Sequence, residues 1–442
     1  MRAYLDRRSF LKTSTAAAAA ALALPHVVHS AEKRKLRIAI VGVGGRGRHG
    51  LGMAKNEEIV ALCDVDTGRL SGAGKKFPNA RTYQDYRELL EARDDYDAVI
   101  VSTPDHHHYP ACIRAIRAGK AVYCEKPLTW SVWEALHLAA EAEKHKVPTQ
   151  LGNQGMGGWG WRIAHDYVKA GAIGEIREVH TWTGSHGGWF DDGVRTPKGE
   201  DPVPENLNWD LWLGPAPRRP YKKRVYHPAR WRGWIDFGNG ALGDWSCHLL
   251  NAFYKTLEPG FPVSVECTDQ TGPAIDTYPK GKTVKWEFAA DGTRPAFDAY
   301  WYDGVHTPPR MPGLEEGRKM GKAGSYLVGT KGTCWVVGSH NNSAVLVPET
   351  RRKKFGKPKS SAPKSRGHER EFLMAARGEI PYNAPLSHFG YAGKLVAFAL
   401  MGSIAARVKG KLLYDATKHR FTNSDQANKL LTRKPRDGWY VG

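Results

Sequence analysis

The sequence is poor in cysteine. Its six residues (Cys63, Cys112, Cys124, Cys247, Cys267 and Cys334) are scattered over 442 positions with no CxxC or other metal-type spacing. That pattern excludes a disulfide-stapled framework and a thiolate zinc centre, and free thiols are expected. Cys63 and Cys124 fall in apolar runs, where cysteine behaves as a small hydrophobe. Beyond the leader no stretch reaches the roughly 18 apolar residues that a membrane span needs, so the mature chain is expected to be soluble. Acidic side chains are short against basic ones, 45 to 65, for a formal charge of +20. The most basic stretch, residues 351–370, holds nine Lys or Arg against Glu369 alone, and Phe355 is its one aromatic. It reads as an exposed, mobile loop, and it lacks the interleaved rings on which single-stranded bases stack, so no nucleic-acid partner is expected. What is present, 41% hydrophobic residues with 10% aromatics, is enough for two ordinary domains and excludes a disordered chain.

The first 31 residues are read as address, not fold. Asp6-Arg7-Arg8-Ser9-Phe10-Leu11-Lys12 precedes an alanine-rich apolar run over residues 16–24, then Pro25 and the small Ser30 and Ala31. The order of basic start, weakly apolar core and small-residue end predicts a twin-arginine export signal, cleaved near residue 30, with the export machinery as partner and a location beyond the cytoplasmic membrane.

Leu36-Arg37-Ile38-Ala39-Ile40-Val41 is a short β-branched run that leads straight into Gly42-Val43-Gly44-Gly45-Arg46-Gly47. Strand, glycine turn and helix are implied, with Gly42 for the tight turn, Gly44 for close backbone approach to a pyrophosphate and Gly47 for helix–strand packing. A second apolar run ends at Asp64, where a carboxylate suits ribose hydroxyls and repels a 2′-phosphate, so NAD is favoured over NADP; Arg46 and Arg69 could offset that repulsion. The β/α rhythm continues through a helix over 83–92, a strand over 98–102 ending in Thr103-Pro104, a helix over 111–118, and a strand over 121–124 running into Glu125-Lys126-Pro127-Leu128. The fold class is therefore α/β, an N-terminal doubly wound parallel sheet with ligands at its carboxyl strand ends. His106, His107 and His108 are adjacent, but neighbours in sequence cannot converge on one tetrahedral ion and no acid or thiol completes a set, so no metal is expected.

The glycine turn, Asp64, Thr103-Pro104 before a histidine, and above all Glu125-Lys126-Pro127 resemble the Gfo/Idh/MocA family of NAD(P)-dependent sugar and polyol oxidoreductases. The resemblance extends over essentially the whole mature chain. It implies that Lys126 reaches both the nicotinamide ribose and a substrate hydroxyl, that the Lys126–Pro127 peptide is cis, and that Asn153 and Gln154, after a strand over 147–151, lie near the nicotinamide. Thr103, Pro104, His108 and Glu125 join Gly42, Gly44, Arg46, Gly47, Asp64 and Lys126 as expected cofactor-binding residues.

From about residue 155 the composition shifts toward Trp, Gly and Pro, and extended runs at 176–183, 263–267 and 283–288 replace the β/α alternation. A C-terminal α/β domain with a largely antiparallel open sheet is expected. The division predicted is 35–154 for cofactor, 155–390 for substrate and association, and 391–442 for a long apolar helix over 391–408 with its closing tail. Asp244 and His248 are four apart in a helical stretch and so share a face. Removing a hydroxyl proton needs a base, which imidazole suits, with a carboxylate to orient it. The family resemblance makes Lys126, Asp244 and His248 the expected catalytic set. Between residues 211 and 235 lie seven Lys or Arg and no acid; Tyr226, Trp231 and Arg232 are candidate sugar contacts there, and a packing loop is the equal alternative.

The export signal bears on chemistry, because no ready pool of free NAD exists outside the cytoplasm. The resemblance then implies a sugar, glycoside or polyol oxidoreductase, with NAD expected to be held tightly through a redox-neutral cycle. Net dehydrogenation with exchangeable cofactor, an NAD-dependent glycosidase working through a keto sugar, and a non-catalytic sugar-binding relative stay open. Related glycosidases tend to carry a YPTHG-type segment; this chain has Tyr226-His227-Pro228 and keeps the dehydrogenase-like D-x-x-x-H. The resemblance also implies a homo-oligomer associated through the C-terminal sheet.

Overall fold

Runs rich in Val, Ile and Ala alternate with helices and build the first layer, from β1 (Arg37–Val41), α1 (Gly47–Met53), β2 (Glu58–Cys63), α2 (Thr67–Gly74), β3 (Arg81–Tyr83) and α3 (Tyr86–Glu91). It continues through β4 (Ala98–Val101), α4 (His108–Arg117), β5 (Ala121–Glu125), α5 (Val132–His145) and β6 (Thr149–Gly152). All strand pairs here are parallel, in the order β3-β2-β1-β4-β5-β6. Strands buried on both faces account for the near-continuous apolar runs, and the order reverses at β1/β4, where a crevice opens at the carboxyl ends. The computed structural model describes residues 34–184, 190–439 and 441. The leader reading, residues 1–31, lies outside them, and the described residues from Leu36 onward pack as one unit.

The helix expected over 83–92 is shorter: β3 takes Tyr83, and Asp85 caps α3 by accepting the Arg87 N–H. The helix expected at 111 begins three residues earlier, at His108. After α6 (Gly160–Lys169) come β7 (Ile176–Thr183), α7 (Trp209–Leu213), α8 (Gly240–Leu249), α9 (Asn251–Leu257), β8 (Ser264–Gln270), β9 (Gly281–Phe288) and β10 (Phe297–Gly304). The chain then forms β11 (Ala323–Gly329), β12 (Gly332–Val337), β13 (Ser343–Val347), α10 (Glu349–Phe355), α11 (His368–Ala376), α12 (Phe389–Ala405), β14 (Leu412–Asp415), β15 (Arg420–Phe421) and α13 (Asp425–Lys429). These strands make a nine-stranded sheet, β13-β12-β11-β7-β10-β9-β8-β14-β15. It is antiparallel except for the β7/β10 pair.

The basic segment 351–370 is not the loose loop its composition suggested. Its first five residues complete α10, where Glu349 in the first turn pairs with Arg352 and Gly356 ends the helix at φ +74°. Farther on, one oxygen of Asp166 accepts the N–H groups of Ser361 and Ala362 and the Ser361 hydroxyl, so this irregular stretch is pinned to α6.

One hydrophobic core runs through both layers, and α12 is its centre. Gly393 lets α12 approach α5, since a Cβ there would lie 2.6 Å from the Ala135 carbonyl oxygen. One turn on, Phe398 stacks on Tyr254 at 4.9 Å and meets Trp286 edge-on at 5.4 Å, while the Trp286 indole N–H donates to the Phe398 carbonyl. Among the described residues no helix is long and apolar enough to cross a membrane. Phe398→Ala should cost about 3–5 kcal/mol of unfolding free energy through the cavity it leaves; a denaturation midpoint unchanged from the parent protein would contradict this account of the core.

Candidate active site

The turn after β1 is shaped by close approaches. Gly42 has φ +86°, and a Cβ there would meet the Ser102 carbonyl oxygen at 2.8 Å; a Cβ on Gly47 would meet the Gly42 carbonyl oxygen at 2.0 Å. Both positions therefore require glycine. Asp64, at the end of β2, fastens the turn: one carboxylate oxygen accepts the N–H groups of Val43 and Gly44, at 3.1 and 3.3 Å, and the other accepts that of Asp66 at 3.0 Å. Burial raises the Asp64 pKa, and these donors offset part of the rise. Arg46 leaves the turn to pair with Glu125 at 2.8 Å. Arg69 pairs with Asp66 at 3.4 Å.

The three histidines serve the backbone. His107 donates through Nε2 to the Trp212 carbonyl (2.8 Å) and accepts the Tyr86 hydroxyl at Nδ1. His106 lies between the Phe237 and Trp212 carbonyls, and His108 between those of Pro127 (2.6 Å) and Thr103 (2.9 Å). Burial keeps all three neutral, with His107 pushed down to about 3 and His108 to about 4. With a single N–H, neutral His108 donates to one of its two carbonyls and lies against the other, between the turns that carry Thr103 and Lys126.

Lys126 follows β5 through a cis Lys126–Pro127 peptide. Its ammonium donates to the Asp244 carboxylate (Oδ1, 2.6 Å) and to the Asp244 carbonyl (2.8 Å). Arg232 Nε donates to the same Oδ1 at 3.2 Å. Asp244 is 3% exposed and its Oδ2 has no partner. Burial alone would raise its pKa, but Lys126 and Arg232 outweigh burial and hold the carboxylate ionised. His248, one turn along α8, is 4% exposed with Nδ1 unpartnered; burial first and the Lys126 charge second hold it well below its ordinary value, hence neutral. Helix α8 is fixed from two sides: Asn153 donates to the Cys247 carbonyl and Asn341 to that of His248.

These groups surround one cavity of about 480 Å³. Gly42, Gly44, Gly45 and Arg46 form one wall with Asp64 and Arg69; Thr103, Pro104, Glu125, Lys126 and Gln154 form its floor; Asp244 and His248 close one end. Trp231 and Arg232 reach it from the segment before α8. Four predicted positions do not line it. Tyr226 is fully buried in an aromatic cluster with Trp212, Trp234 and Phe237, so it is no substrate contact. Asn153 is spent on α8 and on Ser387, His108 on the two carbonyls, and Gly47 on Gly42. Sequence reasoning missed Trp245, whose ring lies 5.8 Å from the Lys126 ammonium, and His340, 4.4 Å ring to ring from His248. His340 comes from the β12–β13 turn, which has no local motif to mark it.

Two models of one family match the chain. "Oxidoreductase family, NAD-binding Rossmann fold" matches residues 36–153, and "Oxidoreductase family, C-terminal alpha/beta domain" matches residues 170–299. A twin-arginine translocation signal matches residues 5–25, so the chain is addressed for export by that route. The inositol 2-dehydrogenase of Salmonella typhimurium is 30% identical over 151 residues, 33% of this chain and 45% of that enzyme. A glycosyl hydrolase family 109 protein of Stenotrophomonas maltophilia is 38% identical over 135 residues, 27% of this chain and 29% of that protein. The matches thus span less than half the length of these curated relatives. Two solved structures share the fold. They are the WlbA dehydrogenase of Bordetella pertussis with NADH and UDP-GlcNAcA (TM-score 0.59, 18% identity, 86% of this chain and 99% of that one) and the aldose-aldose oxidoreductase of Caulobacter crescentus (TM-score 0.56, 19% identity, 86% and 100%).

Asp244→Ala would leave Lys126 and Arg232 facing each other without their shared anion. A loss of about 3 kcal/mol is expected, as for one partner removed from a buried ion pair; a thermal midpoint equal to that of the parent would show that Asp244 is not the anchor.

Proposed function

We propose, from the premise that this chain belongs to the Gfo/Idh/MocA oxidoreductase family, that it is an exported NAD-dependent oxidoreductase acting on a hydroxyl of a sugar, glycoside or polyol. The observation that carries this reading is the Lys126 ammonium 2.6 Å from the Asp244 carboxylate, beside a neutral His248, at the end of a glycine-walled cavity. The groups present suit a dinucleotide. Gly45 leaves open space toward which a Cβ would meet nothing within 4 Å, and the Thr103 hydroxyl is buried without a partner. Gly44, Gly45 and Arg46 would hold the phosphates and Asp64 the adenosine ribose, where its carboxylate disfavours a 2′-phosphate and so favours NAD. Thr103, Pro104 and Gln154 would line the nicotinamide side. When bound, NAD supplies hydride acceptance and return.

The chain's own residues handle the proton and the charge. Lys126 donates a hydrogen bond to the reacting hydroxyl and stabilises the negative charge that grows on its oxygen. His248, neutral at pH 7, takes the hydroxyl proton and can return it. Asp244 keeps Lys126 aimed and offers its free Oδ2 to a substrate hydroxyl. Trp231 gives a face for a sugar ring. Export away from the cytoplasmic cofactor pool supports NAD that stays bound through a redox-neutral cycle. A second reading, glycoside cleavage through a transient keto sugar, is favoured by the glycosyl hydrolase relative. Association of copies through the nine-stranded sheet rests on the family resemblance.

Purified protein incubated with a panel of free sugars, polyols and glycosides, with products followed by mass spectrometry, tests the substrate class and separates the two readings. His248→Ala and Lys126→Ala should each lose about 10²–10⁴ in kcat; unchanged turnover on every accepted substrate would revive a non-catalytic role. Because the His248 pKa lies below 6.5, the base is lost only as pH falls through that depressed value. The acid limb of kcat/KM should therefore lie below pH 6.5, and a limb above it would exclude His248 as the base.

A further inference from the structure

The described segment ahead of α8, residues 190–239, reaches the carboxyl ends of the parallel sheet. There its backbone joins the turn that follows Asp64: Leu207 forms an antiparallel bridge with Asp66, Thr67 N–H donates to the Asn206 carbonyl at 2.8 Å, and Asn208 N–H donates to the Val65 carbonyl at 3.0 Å. The Asn206 side-chain amide donates to Asp66 Oδ1 at 2.8 Å. Farther along, the segment is held by the His106 and His107 contacts to Trp212 and by the Arg433 guanidinium, which donates to the Asp236 and His106 carbonyls. It also has an aromatic core of its own, built on Trp212, Tyr226, Trp234 and Phe237. It is thus a built wall and not a loose flap.

That wall presents His227, Pro228 and Ala229 to the cavity, in the same lining as Asp64, Val65 and Arg69. The His227 ring lies 6.3 Å from that of Trp212, and the charges that act on it are those of Arg69 and Asp66, the pair that follows Asp64. Burial pushes His227 down to about 4, so it is an uncharged face at neutral pH.

We infer that residues 206–208 and 227–228 are a second half of the cofactor site: His227 and Pro228 cover the adenosine end of NAD, and the Asn206–Asp66 junction keeps that cover closed. This rests on the NAD reading above and deepens it, because a site closed by both layers slows release in a way that a parallel sheet alone does not. The cost of opening is the set of junction hydrogen bonds, and the loss of one of them corresponds to roughly a two- to tenfold change in rate.

The test is the release rate of NAD from purified parent protein, Asn206→Ala and His227→Ala, each loaded with NAD and chased with isotopically labelled NAD, with bound nucleotide measured after gel filtration. Release faster by roughly two- to tenfold is expected in both variants. Parental release in either variant overturns the inference and leaves NAD binding intact; so does a parent that loses its NAD during gel filtration. A parent that neither carries nor takes up NAD overturns the proposed function itself. Should either variant fail to fold, limited proteolysis of the parent decides: added NAD must slow cleavage within residues 201–232 of nucleotide-stripped protein, and cleavage at an unchanged rate overturns the inference.

Discussion

Two cations meet on one oxygen of a buried carboxylate. Asp244 belongs to α8, Lys126 to the turn after β5, and Arg232 to the segment ahead of α8, so three stretches of chain converge on Oδ1. In a low-dielectric interior neither cation could be kept there unpaired. The arrangement holds a net positive charge at the point where an oxyanion would develop, and the same charge helps to keep His248 neutral. Position follows from this electrostatic demand. His108 lies between the Pro127 and Thr103 carbonyls and donates to one of them, and Asn153 and Asn341 clamp the carbonyls of α8. Residues with no direct access to the cavity thereby determine where its charges sit.

The Asp64 end is organised by hydrogen bonds to neutral backbone. Asp64 spends its oxygens on the N–H groups of Val43, Gly44 and Asp66, and Asp66 in turn caps α2 and receives Asn206. The nearby cations are locally balanced, Arg46 by Glu125 and Arg69 by Asp66. The large overall positive charge therefore has little bearing on this end of the cavity. Much of it lies on the surface of α10 and the segment pinned to Asp166.

The parallel sheet, its glycine turn and the strand-end positions of Asp64 and Lys126 were legible in the sequence because each is signalled locally, by short apolar runs and by residues that such turns require. Helical spacing put Asp244 and His248 on one face, and the family resemblance marked the pair as a candidate site. The orientation of the aromatic segment was not. Tyr226 and Trp231 stand five apart in equally basic surroundings and share one buried aromatic cluster, yet only Trp231 also lines the cavity. That choice is made by packing against His106, His107 and Val65, residues about a hundred positions or more away. His340 was hidden for the same reason, since a turn between two strands acquires chemistry only from what the sheet sets beside it. Composition misled at residues 351–370, where charge suggested looseness while the Asp166 carboxylate supplied the missing acceptor.

Helix α12 also carries a lesson about timing. It is made from residues 389–405, so a chain emerging from the ribosome has already produced both sheets' central strands before the piece that joins their cores exists. Contacts of such long sequence separation form late and slowly. The two layers can associate fully only after synthesis is nearly complete, which makes final docking a post-translational event. For a chain whose leader is read by the twin-arginine route, that delay separates the appearance of the address from the appearance of a folded body.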